Sequence, residues 1–210
     1  MSTPEERRPR RRTEGVRPRG RSARVVETVL LATAEEIGRV GYAALRIEDV
    51  AERAGVNKTT IYRRWPTKPA LVAATLGHFT EPEEPLESGS FREELLSAVR
   101  SSCHLWGSAL GKGLGRMIQD ERALPEVDAI VRTLRDEYRA RRRAIIARAV
   151  ARGEVPEGSD AELLIDVTFA PVSSRMLRSG EPVDDAYLVR LVDFVVAGAR
   201  AGNAVPRTRG

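Results

Sequence analysis

Residues 45–71 read LRIEDVAERAGVNKTTIYRRWPTKPAL, and this stretch decides how the first part of the chain folds. Two short segments, 47–54 and 58–64, carry apolar residues at helical spacing. Between them, Gly55 can adopt the left-handed conformation that ends a helix, and Asn57 can cap the helix that follows. The pattern therefore predicts a helix-turn-helix.

The second helix of this motif has two different faces. At 100° per residue, Ile61 and Trp65 lie on one side, and we expect them to anchor the helix to the core. The outward set is Lys58, Thr59, Thr60, Tyr62, Arg63 and Arg64. Hydroxyls, an aromatic ring and arginines can bind base edges and phosphates in a major groove, although the spacing alone equally fits a short solvated helix.

The motif resembles the DNA-binding signature of the tetracycline-repressor (TetR) family of bacterial transcription regulators. The matching positions are Ala51, Ala54, Gly55, Val56, Thr60, Ile61, Tyr62, Trp65, Lys68 and Leu71. The resemblance implies a homodimer with a three-helix DNA-binding domain, a fourth connecting helix, and a C-terminal domain that dimerises and holds a ligand pocket. It also implies phosphate contacts from Tyr62 and Lys68, and groove-facing positions for Lys58, Thr59, Thr60 and Arg63.

Two positions depart from the family pattern. The family commonly has histidine before the aromatic residue, where this chain has Arg64, and serine or threonine capping the first motif helix, where this chain has Arg46. Arginine cannot act as a hydroxyl cap, so any phosphate contact at Arg46 would come from its guanidinium. Arg64 adds positive charge to the DNA-facing set.

The net charge of +5 is concentrated at the start of the chain, because residues 1–24 hold nine arginines and three glutamates. A basic arm of this kind, containing proline and glycine, is predicted to be disordered alone and to bind a polyanion. Arg17, Arg19 and Arg21, in the sequence Arg-Pro-Arg-Gly-Arg, are similar to the core of an AT-hook, which reads the minor groove. Non-specific attraction to phosphates and a solubilising tail are the alternatives.

Past Ser22 the apolar residues recur at helical spacing, without strand-like alternation, which predicts an all-α protein. Predicted helices span 22–40, 47–54, 58–64, 67–79, 90–109, 113–122, 126–152, 159–179 and 184–200. The predicted organisation is a disordered arm (1–21), a helix-turn-helix DNA-binding domain (22–66), a connecting helix (67–79), an effector-binding and dimerisation domain (80–201) and a disordered tail (202–210). The glycine-rich run 111–115 lacks the strand and the Lys-Ser/Thr pair of a phosphate loop, so a flexible connector is expected there.

The last two predicted helices have more apolar surface than a monomer needs to bury. We expect them to form a four-helix dimer interface with a second copy, unless each is enclosed within its own domain. The expected interface residues are Ile165, Val172, Met176, Leu188, Leu191, Val192, Val195 and Val196.

An effector pocket is expected among the helices of residues 90–179. The candidate lining residues are His104, Trp106, Arg116, Met117, Gln119, Tyr138, Phe169 and Arg175. Pockets of the TetR family bind chemically diverse small molecules, so the resemblance does not identify the effector.

The composition excludes several other classes of protein. One cysteine and two histidines cannot form a disulfide framework or a structural zinc site, so neither a metal nor a cofactor is expected. Cys103 and His104 are neighbours on a predicted helix, where their side chains diverge by about 100°, so no catalytic residue is predicted. No apolar run approaches the roughly 20 residues of a membrane span, and a cytoplasmic protein is expected.

The sequence therefore predicts a DNA-binding regulator, not an enzyme. We expect a repressor that binds a palindromic operator in double-stranded DNA as a homodimer and is released by a small-molecule effector. The alternative is an architectural protein that binds A·T-rich DNA with low specificity.

Overall fold

The computed structural model describes residues 19–80, 87–202 and 204, and within these ranges the chain forms nine α-helices and no strand. The helices are α1 (Arg19–Ala44), α2 (Ile47–Ala54), α3 (Lys58–Arg64), α4 (Lys68–Thr80), α5 (Phe91–Gly107), α6 (Ala109–Gln119), α7 (Pro125–Ala151), α8 (Ala161–Ser174) and α9 (Asp185–Arg200). A π-helical turn, Arg175–Ser179, continues α8 and ends at Gly180. The all-α prediction is confirmed. None of the helices in the described ranges combines the length and apolar character needed to cross a bilayer.

Two buried clusters organise the helices. The N-terminal core takes residues from α1 to α4, from α6 and from the first half of α7. The C-terminal core takes residues from α5, the second half of α7, α8 and α9. Because α7 runs through both clusters, the domain boundary expected between residues 79 and 80 does not separate the cores in space.

The glycine-rich run 111–115 is helical, so the predicted flexible connector is wrong. A Cβ on Gly113 would lie 2.5 Å from Cγ2 and 2.6 Å from the carbonyl oxygen of Ile37 in α1. A Cβ on Gly38 of α1 would lie 2.6 Å from the carbonyl oxygen of Ala109. The glycines are therefore needed for the close approach of α1 and α6.

The described residues near the two ends of the chain differ from the predicted disordered arm and tail. Helix α1 begins at Arg19, so Arg19 and Arg21 are helical rather than part of an extended AT-hook, while Arg17 lies outside the described residues. At the other end, Ala204 belongs to the C-terminal core and its carbonyl accepts a hydrogen bond from the Asp160 amide at 2.7 Å. Ala204, which falls within the predicted disordered tail, is therefore part of the C-terminal core.

Candidate nucleic-acid interface and effector cavity

The helix-turn-helix forms with the predicted local geometry. Gly55 adopts the left-handed conformation (φ 63°, ψ 33°), and the amide of Val56 donates to the carbonyl of Ala51 at 3.0 Å. The side chain of Asn57 accepts a hydrogen bond from the Thr59 amide at 2.9 Å, which caps α3. Both signals identified in the sequence thus set the turn between α2 and α3.

Helix α3 is anchored on one side and exposed on the other. Ile61 is fully buried, and Trp65 packs half-buried against the N-terminal core, as predicted. The opposite side, together with the start of α2, forms an exposed surface that we call the recognition face; it comprises Arg46, Lys58, Thr59, Tyr62, Arg63 and Arg64. Thr60 lies half-buried at its margin.

The recognition face is rich in unneutralised cations. Lys58 lies 3.6 Å from a carboxylate oxygen of Glu48, but among the described residues no carboxylate pairs with Arg46, Arg63 or Arg64. Arg46 precedes α2 in an extended conformation and makes no capping hydrogen bond with its side chain, so its guanidinium is available for another partner. An exposed hydroxyl, phenol and arginine set can bind a phosphate backbone and base edges.

Lys68, for which the family resemblance implies a phosphate contact, makes several contacts within the chain. Its Nζ donates to the carbonyls of Tyr42, Ala43 and Leu45 at 3.0, 3.3 and 3.4 Å, and it lies 4.4 Å from the centre of the Tyr42 ring. Three carbonyl partners match the three donors of an ammonium group. Lys68 therefore ties α4 to the end of α1, and its phosphate contact stays a prediction.

A buried carboxylate holds α2 against α1. Glu36 of α1 is 2 % exposed and pairs with Arg39 and with Arg53 of α2, each at 2.7 Å. The hydrogen bond from Arg39, with a further one from Arg53, lowers the pKa of Glu36 despite its burial. A charge that is buried and paired on both sides fixes the angle at which the motif leaves the first helix.

The end of α1 is also held from α6 and the residue stretch that follows α6. Gly41 has φ +78° and interrupts α1, so the amides of Tyr42 and Ala43 lack helical partners. The carboxylate of Glu121 accepts hydrogen bonds from both amides, at 3.0 and 2.8 Å. Arg116 of α6 donates to the carbonyl of Gly38 just before this break. We call these bonds the α1–α6 clamp.

A cavity of about 280 Å³ lies between the two cores. Its lining comes from α5 to α8 and comprises Ser102, Leu105, Trp106, Leu114, Ile118, Arg122, Val131, Leu134, Arg135, Tyr138, Arg139, Arg142, Ile165, Asp166, Phe169, Ala170 and Ser173. Of the eight residues predicted from the sequence, three are brought together here: Trp106, Tyr138 and Phe169.

The other five predicted pocket residues lie elsewhere. His104 and Gln119 are exposed, and Met117 is fully buried in the N-terminal core. Arg116 belongs to the α1–α6 clamp, and Arg175 pairs with Glu181 and stacks on the Tyr187 ring at 4.4 Å. Each was selected for its residue type, whereas the direction of its side chain depends on tertiary packing that periodicity does not provide.

Three arginines of α7 were missed, although their spacing carries a signal. Arg135, Arg139 and Arg142 follow at i, i+4 and i+7, which places them on one side of a helix. Arg139 pairs with Glu162 and Asp166, the latter at 2.8 Å. Burial, with a smaller contribution from Arg139, lowers the pKa of Arg142 to about 10, so its guanidinium is still charged at neutral pH.

Most of the residues predicted to form the dimer interface lie on the sides of α8 and α9 that face the core of their own chain. Ile165, Val172, Leu188, Val192, Val195 and Val196 are all buried in the C-terminal core of their own chain, and Met176 and Leu191 pack half-buried against it. The exposed apolar residues are instead Leu163, Val167 and Phe194, with exposed fractions of 45, 40 and 79 %. Periodicity identified two apolar faces on α8, but α5 and α7 cover the face that had been assigned to the partner.

The candidate residues for metal binding and catalysis are the acidic side chains, the histidines and Cys103. Within the described ranges they form no cluster of histidine, cysteine or acidic side chains that could bind a metal ion. Burial raises the pKa of the Cys103 thiol, which is the opposite of what activates a nucleophile, and the neighbouring His104 is exposed.

Comparison with known proteins matches both halves of the chain. Residues 29–75 match the family described as bacterial regulatory proteins, tetR family, and residues 85–195 match the tetracyclin repressor-like C-terminal domain. The DNA-binding transcriptional repressor TetR of Mycobacteroides abscessus is 35 % identical over 173 residues, which cover 80 % of this chain and 90 % of that protein.

Solved structures show the same architecture. The TetR family transcription regulator SCO0332 is 29 % identical, with a TM-score of 0.63 over 83 % of this chain and 97 % of its own. The transcriptional regulator FadR from Bacillus subtilis, solved in complex with stearoyl-CoA, has a TM-score of 0.60 over 84 % of this chain and 98 % of its own. At 19 % identity, FadR shares the fold alone.

Proposed function

This chain belongs to the TetR family of DNA-binding transcriptional regulators, which are not enzymes. We propose that it is a cytoplasmic repressor that binds a palindromic operator as a homodimer. It leaves the operator when a small molecule occupies the cavity. The observation that carries the proposal is the recognition face, where exposed arginines without a described carboxylate partner stand beside a capped, well-anchored helix. Operator DNA supplies the missing negative charge.

We assign the side chains of the recognition face to two kinds of DNA contact, base edges and phosphates. Arg63 is exposed in the last turn of α3, and we assign it to a base edge. Tyr62, the neighbouring residue on α3, and Arg46, just before α2, are both exposed, and their hydroxyl and guanidinium suit phosphate oxygens. Residues 1–18 carry a further basic segment, to which we assign salt-dependent affinity for the DNA backbone.

Dimerisation is assigned to the exposed apolar residues of α8 and α9. Leu163 and Val167 lie one helical turn apart on α8, and Phe194 is 79 % exposed on α9. Pairing these two helices with those of a second chain gives a four-helix interface that covers all three side chains. Such a dimer presents two recognition helices, which must fit successive major grooves about 34 Å apart.

Effector release is assigned to α6, since this helix contacts both the cavity and α1. Leu114 and Ile118 of α6 line the cavity, while Arg116 on the same helix and Glu121 just after it hold the end of α1 in the α1–α6 clamp. A ligand that shifts α6 therefore shifts α1, to which Glu36 and Arg53 attach the helix-turn-helix. Coupling of about 1–3 kcal/mol would reduce operator affinity about 5- to 150-fold.

The experiment that tests this function compares Arg63→Ala with Tyr62→Phe in competition binding against a panel of mutated operators. Loss of a base-reading arginine should relax preference at one base pair by about 1–3 kcal/mol, whereas loss of a phosphate-binding hydroxyl should weaken all duplexes equally. Uniform loss in both variants, with no preferred site, would instead identify an architectural A·T-rich DNA binder.

A further inference from the structure

We propose that the cavity selects a compact carboxylate, whose acid group is bound by Arg142 and whose apolar body lies among Trp106, Tyr138 and Phe169. The role of this ligand as effector rests on the proposed function, but its binding to the cavity does not.

Arg142 differs from the other arginines that line the cavity. Arg122 pairs with Asp128, Arg135 with Asp136, and Arg139 with both Glu162 and Asp166. Asp166 also lines the cavity, where its charge offsets part of the fall in the pKa of Arg142 without pairing with it. No described carboxylate lies within 4 Å of Arg142, and no described residue accepts a hydrogen bond from it. Its guanidinium carbon lies instead 3.6 Å from the centre of the Phe169 ring and 5.2 Å from that of Tyr138.

Stacking on aromatic rings satisfies only part of a guanidinium. The rings interact with the face of the planar group, but its five N–H donors lie in the plane and point to its edges. Burial already opposes the charge, which is why the pKa of Arg142 falls, and the neighbouring Arg139 adds repulsion. Arg142 is half-buried. A partly desolvated cation whose edge donors lack protein partners is costly, and an anion with two coplanar oxygens is the partner that fits them.

The cavity favours a carboxylate over a phosphate ester. Most of its lining is apolar, and only one of its arginines lacks an ion-pair partner, so it offers a single free guanidinium. The second negative charge of a phosphate ester would find no free cation in the lining and would lie near Asp166. Its volume of about 280 Å³ is near the lower end of small-molecule sites, which are usually about 300–1,000 Å³. A short aliphatic or fused-ring aromatic acid matches both the volume and the three aromatic side chains.

Titration calorimetry on the full-length protein tests this with octanoate and 2-naphthoate, each against its neutral carboxamide. We expect each acid to bind about 10- to 150-fold more tightly than its amide, the range given by one charged hydrogen-bonding pair. Arg142→Gln should reduce the affinity for the acids by a similar factor and leave that for the amides unchanged. The matched control is Arg143→Gln, which removes the adjacent positive charge from an exposed residue outside the lining.

The comparison of acid with amide uses the wild-type protein, so it tests the preference for a carboxylate even if Arg142→Gln does not fold. Equal affinity of acids and amides, binding of neither acid, or an equal loss in both arginine variants would overturn the carboxylate assignment. Operator binding measured in the same samples separates the two proposals. If the acids bind through Arg142 but do not weaken operator binding, the carboxylate site is supported and its role as effector site is refuted. If only a neutral compound releases the operator, the proposed function is supported and the carboxylate assignment is refuted.

Discussion

Gly113→Ala should destabilise this protein, although alanine is normally the better helix residue. The new Cβ would lie 2.5 Å from Cγ2 of Ile37 and 2.6 Å from its carbonyl oxygen. A rotamer change can relieve the first contact, but the carbonyl belongs to the backbone of α1, so α1 and α6 must move apart. Overpacking of this kind costs about 1–3 kcal/mol.

Gly77→Ala in α4 is the matched control, because a Cβ there meets nothing within 4 Å. Both variants gain the helix propensity of alanine, about 0.5–1 kcal/mol, so the difference between their free energies of unfolding isolates the clash. Urea titrations followed by circular dichroism should place Gly113→Ala about 1–3 kcal/mol below Gly77→Ala, and its Tm lower by about 2–4 °C for each kcal/mol. Equal stability of the two variants would refute close packing at residue 113.

Three further substitutions test the interface, the role of Lys68 and the α1–α6 clamp. Phe194→Asp should shift the protein from dimer to monomer in sedimentation velocity, because an unpaired charge would be buried between the copies; an unchanged dimer contradicts our interface. Lys68→Met should lower the free energy of unfolding by about 1–3 kcal/mol while leaving the salt dependence of DNA affinity unchanged, whereas loss of a phosphate contact would reduce that slope by about 0.9. Glu121→Gln should speed amide hydrogen exchange at Tyr42 and Ala43 about 5-fold, for a loss of about 1 kcal/mol; protection equal to wild type would show that the carboxylate does not hold them.

The helix-turn-helix could be predicted in detail because its signals are local. Gly55 ends α2 and Asn57 caps α3 through contacts within a few residues, and Ile61 is buried because of its position on the helix. The direction of Lys68 is not local, since its partners are carbonyls more than twenty residues earlier in the chain. The family resemblance correctly identified the motif but did not reveal this interaction.

The glycine run and the dimer face show where composition misleads. The run 111–115 was expected to be a connector, although a helix was predicted from residue 113, and the proximity of Ile37 makes glycine necessary at residue 113. On α8, two apolar faces were visible in the sequence, but only the packing of α5 and α7 shows that Ile165 faces inward and Leu163 outward. Both errors concern which surfaces meet, and a single sequence does not record that directly.

The sequence predicted which helices enclose the cavity, but only some of the side chains that line it. Trp106, Tyr138 and Phe169 were chosen as large side chains on the correct helices, and they do line it. Arg142 was missed because an arginine on a long, charged helix normally faces water. Only the rings stacked against its guanidinium show that this one is turned inward.

The shared N-terminal core limits how this protein can be recombined. Leu110, Leu114 and Met117 of α6 are buried in the same cluster as Ile61 of the recognition helix. A chimaera that joined residues 19–80 to the C-terminal domain of a different regulator would lose these three side chains. The apolar residues that pack against them in the N-terminal core would then be exposed. The smallest part of the chain that keeps this core intact therefore includes α6 and the first half of α7 together with α1 to α4.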